Sequence, residues 1–164
     1  MKSKFLKYTL LMLGLVGPPL CAHSGDDSIL SPETAVDSDD GTNLNATFIP
    51  NDTAATAQAI RNPVVLTGYV NQPGSGAEGR SYEAGDLVDA YQVNLKAGDR
   101  VTLTIAGDGV QADLDLGLAD LDGNLLNASA GQVRVESLTV KATDDYLVLV
   151  GAHRGASRYE LTIG

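Results

Sequence analysis

Tryptophan is absent from this 164-residue chain, cysteine occurs once, and phenylalanine twice. A single cysteine excludes an internal disulfide, so the fold must stand on its core alone. With no C-x-x-C, no H-E-x-x-H and no glycine-rich phosphate loop, dithiol, zinc-protease and nucleotide chemistry lose their usual signatures. Phe5 lies in a leader, so aliphatic side chains and tyrosines must do most of the packing.

Basic residues are scarce as well. All 21 acids lie after Ala22, whereas Lys2, Lys4 and Lys7 account for three of the 11 bases; the remaining eight leave that part of the chain at −13. Such a surface repels nucleic-acid phosphates and anionic lipid, which excludes nucleic acid as a partner class. It suits an exported protein, and solubility is its plainest consequence. Recruitment of divalent cations is the sharper reading.

Long apolar runs are missing too. The one uncharged stretch, Tyr8 to Val16, is too short to span a bilayer. Preceded by three lysines and followed by Ala22 and Ser24, it reads as a signal peptide over residues 1–24. Export to the extracellular space or periplasm follows. Cys21 could carry a lipid anchor, but Pro18, Pro19 and Leu20 stand where a lipoprotein signal wants small residues, which favours a discarded leader.

What is present falls into two textures. Residues 25–45, "GDDSILSPETAVDSDDGTNLN", hold six acids, no base and little apolar periodicity, and read as an acidic disordered spacer. Residues 46–164 show short alternating runs broken by Gly, Asp, Asn and Pro. The runs cover 64–70, 87–95, 100–106, 113–119, 133–140, 146–152 and 158–163. Period-two alternation with turn chemistry every eight to twelve residues predicts an all-β, antiparallel, jelly-roll-like sandwich of about 7–8 strands. A short helical turn over 52–60, capped by Asp52 or Thr53, is the one helical candidate.

The acids need separate treatment. "ADLDLGLADLDGN" at 112–124 invites a calcium-loop reading, but from Asp120 the loop glycine falls at 123 instead of 125, and position twelve is Gly131. Leu114, Leu116 and Leu118 alternate with Asp113, Asp115 and Gly117, so a strand followed by a turn at 120–124 is favoured. Asp89 is different, because it shares the parity of Leu87, Tyr91 and Val93, the face that should be buried. Either the strand begins at Ala90 and Asp89 caps a turn, or Asp89 shares a cation site with Asp86 and a further acid.

Taken in order, "PNDTAATAQAI", "VVLTGYV", "GDLVDAYQVNLKAGDRVTLTI", "ADLDLGLADLDGNLL" and "ESLTVKATDDYLVLVGAHRGASRYELTIG" resemble the bacterial pre-peptidase C-terminal domain family. The likeness spans about residues 50–164 and is similar to such domains near the N-terminus of secreted subtilisin-like serine peptidases. It implies a non-catalytic accessory domain of a secreted peptidase, acting in secretion, as a propeptide-like element or in substrate targeting. In calcium-binding relatives the matching positions are ligands; here they are Asn51, Asp52, Asp86 and Asp89. The usual D-x-D before the tyrosine reads Val88-Asp89-Ala90-Tyr91, one acid short. Partners implied are a peptidase catalytic domain or an extracellular polymer such as collagen or polysaccharide. The alternative function is a stand-alone polymer-binding module, calcium-stabilised, with Tyr69 and Tyr82 as exposed anchors.

Catalysis finds no constellation. His153 sits in a loop beside Arg154, Ser157 has no G-x-S-x-G elbow, and His23 belongs to the leader or its tail. Asp113 and Asp115 are neighbours on one strand face without a sugar-binding aromatic platform.

Overall fold

The structure is a computed structural model and describes residues 32–42, 44–106 and 111–164. The signal peptide, Cys21, His23 and the first part of the acidic spacer lie outside the described residues. The described residues form ten strands and no helix. In chain order these are β1 Glu33–Val36, β2 Gln58–Ala59, β3 Val64–Asn71, β4 Val88–Leu95, β5 Arg100–Ile105, β6 Asp113–Ala119, β7 Leu125–Ser129, β8 Val135–Thr139, β9 Asp144–Arg154 and β10 Ala156–Ile163.

They make two five-stranded sheets, ordered β1-β3-β10-β5-β8 and β2-β4-β9-β6-β7. The expected sandwich is present, and each of the seven alternating runs lies on a strand. Two features differ from expectation. The sheets are mixed, because β1 adds parallel to β3 and β2 parallel to β4, while every other pairing is antiparallel. The strand count exceeds seven or eight because β1, β2 and β7 carry no alternation of their own: β2 has two residues and β1 is mostly exposed. Their order comes from a neighbour's hydrogen-bonding edge, a tertiary cause.

Alternation explains the core. β5 buries Val101, Leu103 and Ile105 and turns Arg100, Thr102 and Thr104 outward or partly outward. β10 buries Ser157, Tyr159, Leu161 and Ile163 in the same rhythm. Facing them are Tyr91, Val93 and Leu95 of β4, Leu114, Leu116 and Leu118 of β6, and Val148 and Val150 of β9. Truncating one of these leucines to alanine would cost about 2–5 kcal/mol, from lost burial and the cavity left behind.

The helical turn expected over 52–60 does not form. A Thr53–Thr56 turn stands there instead, with Thr56 N donating to Thr53 Oγ1 at 3.1 Å and Thr53 N to Thr56 Oγ1 at 3.1 Å, and the chain then joins β4 as β2. The capping hydroxyl is used, but Gln58 and Ala59 find ladder partners and the helix never extends.

The acidic stretch at 112–124 resolves as strand and turn. Asp120 Oδ1 accepts from Asp122 N at 3.1 Å and Asn124 N at 2.8 Å. Gly123 takes the positive φ of 83° that this turn requires.

Part of the stretch read as spacer is also built into the fold. β1 pairs residue by residue with β3, Glu33 opposite Val64 through Val36 opposite Thr67. Gln58 then closes that flank of the sandwich: its Nε2 donates to Val36 O and its Oε1 accepts from Ser38 N, both at 2.9 Å. An acidic sequence with no apolar rhythm is ordered here because another strand and one side-chain amide satisfy its backbone.

Candidate metal centre

Beside that closed flank, four carboxylates meet in the interior. Asp37, Asp39, Asp86 and Asp89 each place a carboxylate oxygen within 4.8 Å of the others, and all four side chains are buried. Each arrives by a different route. Asp37 follows the last residue of β1, where its N–H donates to Thr67 O at 2.9 Å. Asp39 lies two residues on and accepts from Asn51 N at 3.1 Å. Asp86 is held by a two-way backbone bridge with Asn71, 2.8 and 2.9 Å, just before β4. Asp89 is the second residue of β4 and points inward with Tyr91, so the strand does include it.

Asn51 completes the group. It is fully buried, its Nδ2 donates to Asp37 Oδ1 at 2.9 Å, and its backbone O accepts from Ala90 N at 3.0 Å. With the amide nitrogen committed to Asp37, the amide oxygen is left as an acceptor. Asp52, the next residue, is exposed at the rim and adds its charge to that acting on Asp86.

Tyrosines form the floor. Tyr159 donates its hydroxyl hydrogen to Asp89 Oδ2, and the Tyr91 and Tyr159 hydroxyls hydrogen-bond one another. Both rings are buried, and a Cβ on Gly68 would come within 2.3 Å of the Tyr159 hydroxyl, so the glycine makes room for it.

The electrostatics are adverse as they stand. Burial first, and then the charge of Asp39, pushes Asp37 up to about 8. Burial, then Asp39 and Asp37, pushes Asp86 up to about 9. Asp89 is raised well above the usual carboxylate range by burial and then by Asp37. Asp39 is raised by burial even though hydrogen bonds oppose the shift. Among the described residues none of the four forms an ion pair; Arg158, the nearby cation, pairs with Asp40 at 2.9 Å.

Six oxygens of this group accept no hydrogen bond: Asp37 Oδ2, Asp39 Oδ1, Asn51 Oδ1, both of Asp86, and Asp89 Oδ1. Buried acceptors without donors cost on the order of 1–3 kcal/mol each, and more when charged. Protons can relieve part of this and a cation all of it. The donor set is all oxygen and mostly anionic, which suits hard cations and not zinc, which favours nitrogen and sulfur. Ligand oxygens around calcium at about 2.3–2.6 Å lie no more than about 5 Å apart, and one carboxylate oxygen from each of the four aspartates meets that condition.

Of the residues singled out from sequence, Asn51, Asp86 and Asp89 are brought together and Asp52 stands at their rim. Asp37 and Asp39 were missed. The signal was there in "VDSDD", two alternate aspartates after an aliphatic residue, but the surrounding composition read as solvated spacer. Tyr69 is a correction: it is 5% exposed, and its hydroxyl accepts from Ala77 N at 3.0 Å, so it anchors a loop from inside instead of offering a surface. Tyr82 is half-buried and lines an open hollow with Glu78, Gly79, Arg80 and Glu83. Asp113 and Asp115 are buried along with the whole of β6, not solvated. No Ser–His–carboxylate relay is assembled among the described residues: Ser157 Oγ donates to Arg158 O at 2.8 Å, and His153 Nδ1 has no partner.

No protein-family profile matches the chain. No curated protein sequence matches it either. Among solved structures it is similar to the pre-peptidase C-terminal domain of a collagenase from Bacillus anthracis, at 16% identity and a TM-score of 0.47, over 66% of this chain and 94% of that one. It is also similar to PliG, a periplasmic inhibitor of g-type lysozyme, from Aeromonas hydrophila, at 11% identity and a TM-score of 0.39, over 66% and 97%. PliG from Salmonella Typhimurium stands at 14% identity and 0.37, over 66% and 100%.

Proposed function

We propose that this chain is an exported, non-catalytic accessory domain of a secreted peptidase system, a β-sandwich locked by calcium at Asp37, Asp39, Asp86 and Asp89 with Asn51. The observation that carries the calcium reading is the set of six buried oxygens without donors, gathered from three separate parts of the chain. The accessory role rests on the sequence resemblance and on the leader that marks the chain for export.

Calcium here would supply charge neutralisation and cross-linking. It would tie the segment after β1 to the start of β4, and so one sheet to the other. Ligands must be ionised to bind it, so uptake releases the protons that Asp37 and Asp86 hold at neutral pH. A ligand that binds only the folded state raises stability by mass action, about 4 kcal/mol at a thousand times its Kd.

Calorimetric titration of chelator-stripped protein with calcium chloride tests this directly. Saturable binding is expected, with a heat that varies with buffer ionisation because protons leave, and Asp86→Asn is expected to abolish it. No binding at millimolar calcium, or an Asp86→Asn protein that binds as well as the parent, sinks the calcium reading. The accessory reading is tested separately by incubation with casein, where cleavage by the purified chain alone would overturn it.

The polymer-binding alternative keeps one place to look, the Tyr82 hollow beside Arg80. Retention on insoluble collagen that Tyr82→Ala removes would favour it.

A further inference from the structure

The two long flanks of the sandwich are finished differently. Gln58 bridges the β1 and β2 side, satisfying Val36 O and Ser38 N. On the other side lie β7 and β8, the last strands of their sheets, where Glu136 of β8 accepts from Leu116 N and Gly131 N but, among the described residues, no side chain caps the outer backbone edge of β8 as Gln58 caps β1. In β8 the direction of each backbone group is fixed by the ladder to β5. Ile105 N donates to Arg134 O and Val140 N to Asp99 O, both at 2.9 Å, and Glu136 and Leu138 lie opposite Leu103 and Val101. Even-numbered residues therefore face β5, and Val135, Ser137 and Thr139 send their N–H and C=O groups to the open edge.

The surface around that edge joins exposed apolar side chains to a shortage of acids. Val133 and Val135 are 51% and 52% exposed, with Leu125 and Leu126 exposed on β7. Over residues 124–143 the sole acid is Glu136, which is buried, while Arg134 and Lys141 are exposed. In a chain of formal charge −10, a copy meets least repulsion where ionised carboxylates are missing.

We infer that β8 pairs antiparallel with β8 of a second copy, joining two five-stranded sheets into one of ten. A two-fold axis through Ser137 sets Val135 opposite the partner's Thr139. That arrangement satisfies the three outward N–H and three outward C=O groups of each copy and leaves no new edge, so assembly stops at two. The valines at 133 and 135 add β-branched cover over the seam.

Sedimentation velocity on the purified full chain, across about a thousandfold range of concentration, tests this. A reversible dimer is expected. Ser137→Pro removes the outward N–H, and with it the hydroxyl that accepts from Arg100 Nη2, but leaves the backbone ladder to β5 its even-numbered groups, and Val135→Lys puts a charge on each side of the seam. Each is expected to weaken the dimer by at least about tenfold with little change in Tm. Val36→Lys on the closed flank is expected to leave it unchanged. Amide exchange at Val135, Ser137 and Thr139 is expected to slow only at dimer concentrations. A monomer at every concentration overturns the proposal, as does a dimer indifferent to Val135→Lys, dissociation by Val36→Lys, or open-ended growth. Protection of the β8 amides that requires an added foreign protein overturns it too. Should Ser137→Pro fail to fold, the exposed Val135 position carries the test alone.

Discussion

The sandwich buries carboxylates at both flanks and treats them in opposite ways. Glu136, on β8, is 1% exposed, and both of its oxygens are used: Oε2 accepts from Leu116 N at 3.0 Å and Oε1 from Gly131 N at 2.6 Å. It stands in for a strand carbonyl where the β6–β7 ladder runs out. At the far flank Asp37, Asp39, Asp86 and Asp89 are buried as deeply and mostly lack donors. Burial alone therefore does not mark a binding site. A buried carboxylate that backbone N–H groups have claimed is structural; four buried carboxylates that converge with most of their oxygens lacking donors form a set a cation can satisfy.

Deleting each acid separates the two cases by sign. Glu136→Ala strands the buried Leu116 N–H and the half-buried Gly131 N–H and is expected to cost about 2–4 kcal/mol, with or without calcium, in chemical denaturation. Asp86→Asn in chelator is expected to do the reverse: the folded state holds Asp86 protonated up to about 9, and removing the cost of that protonation stabilises the metal-free fold by about 1 kcal/mol or more at pH 8. In saturating calcium the same variant is expected to be less stable than the parent. If Asp86→Asn destabilises equally in both conditions, the acids are ordinary packing and the distinction collapses.

The pH dependence sharpens the same contrast. Asp37 and Asp86 have folded values of about 8 and 9, raised from an unfolded value near 3.8. Protons are thus held more tightly by the folded state, so their contribution to stability is whole below about pH 4 and is lost as pH rises through 8 and 9. In chelator the Tm is expected to fall between pH 6 and 9; in calcium that slope should flatten, because the ion replaces the protons. Glu136 is raised by burial against its two backbone bonds, which oppose the shift, and no comparable alkaline loss is expected to trace to it. A chelator profile as flat as the calcium profile contradicts the shared cause.

How much of this was legible beforehand follows from where each signal resides. β5 and β10 announce themselves through Val101, Leu103, Ile105 and Tyr159, Leu161, Ile163, because alternation is a local property. β1 does not, since "ETAV" is ordered by the edge of β3 and by Gln58, twenty or more residues away. Half of the acid cluster was hidden for the same reason. Asp89 was conspicuous as a charge on a buried face, whereas Asp37 and Asp39 look like solvated acids until the topology folds β1 against β3. Glu136 shares parity with Leu138 and could have been suspected, but its partners Leu116 and Gly131 belong to a ladder end that sequence does not reveal.

Smaller effects probe the floor of the cluster. Tyr159→Phe removes the donor to Asp89 and the bond to Tyr91 while keeping the buried ring, and is expected to cost about 1–2 kcal/mol. The loss should be larger in chelator than in calcium, because an ion would take over the stabilisation of Asp89. Equal losses in both conditions would mean that the tyrosine supports the core and not the carboxylate.

Asp52 marks where the cluster ends. It is exposed, and water already solvates it, although burial of its carboxyl raises it somewhat. Its charge acts on Asp86 and Asp39 from the rim and is a minor cause at each. Asp52→Asn is therefore expected to shift Tm by no more than about a degree or two in chelator and to weaken calcium binding by only a few-fold, measured by titration against a competing chelator. A loss as complete as that of Asp86→Asn would move the boundary of the site outward and make the rim residue a ligand.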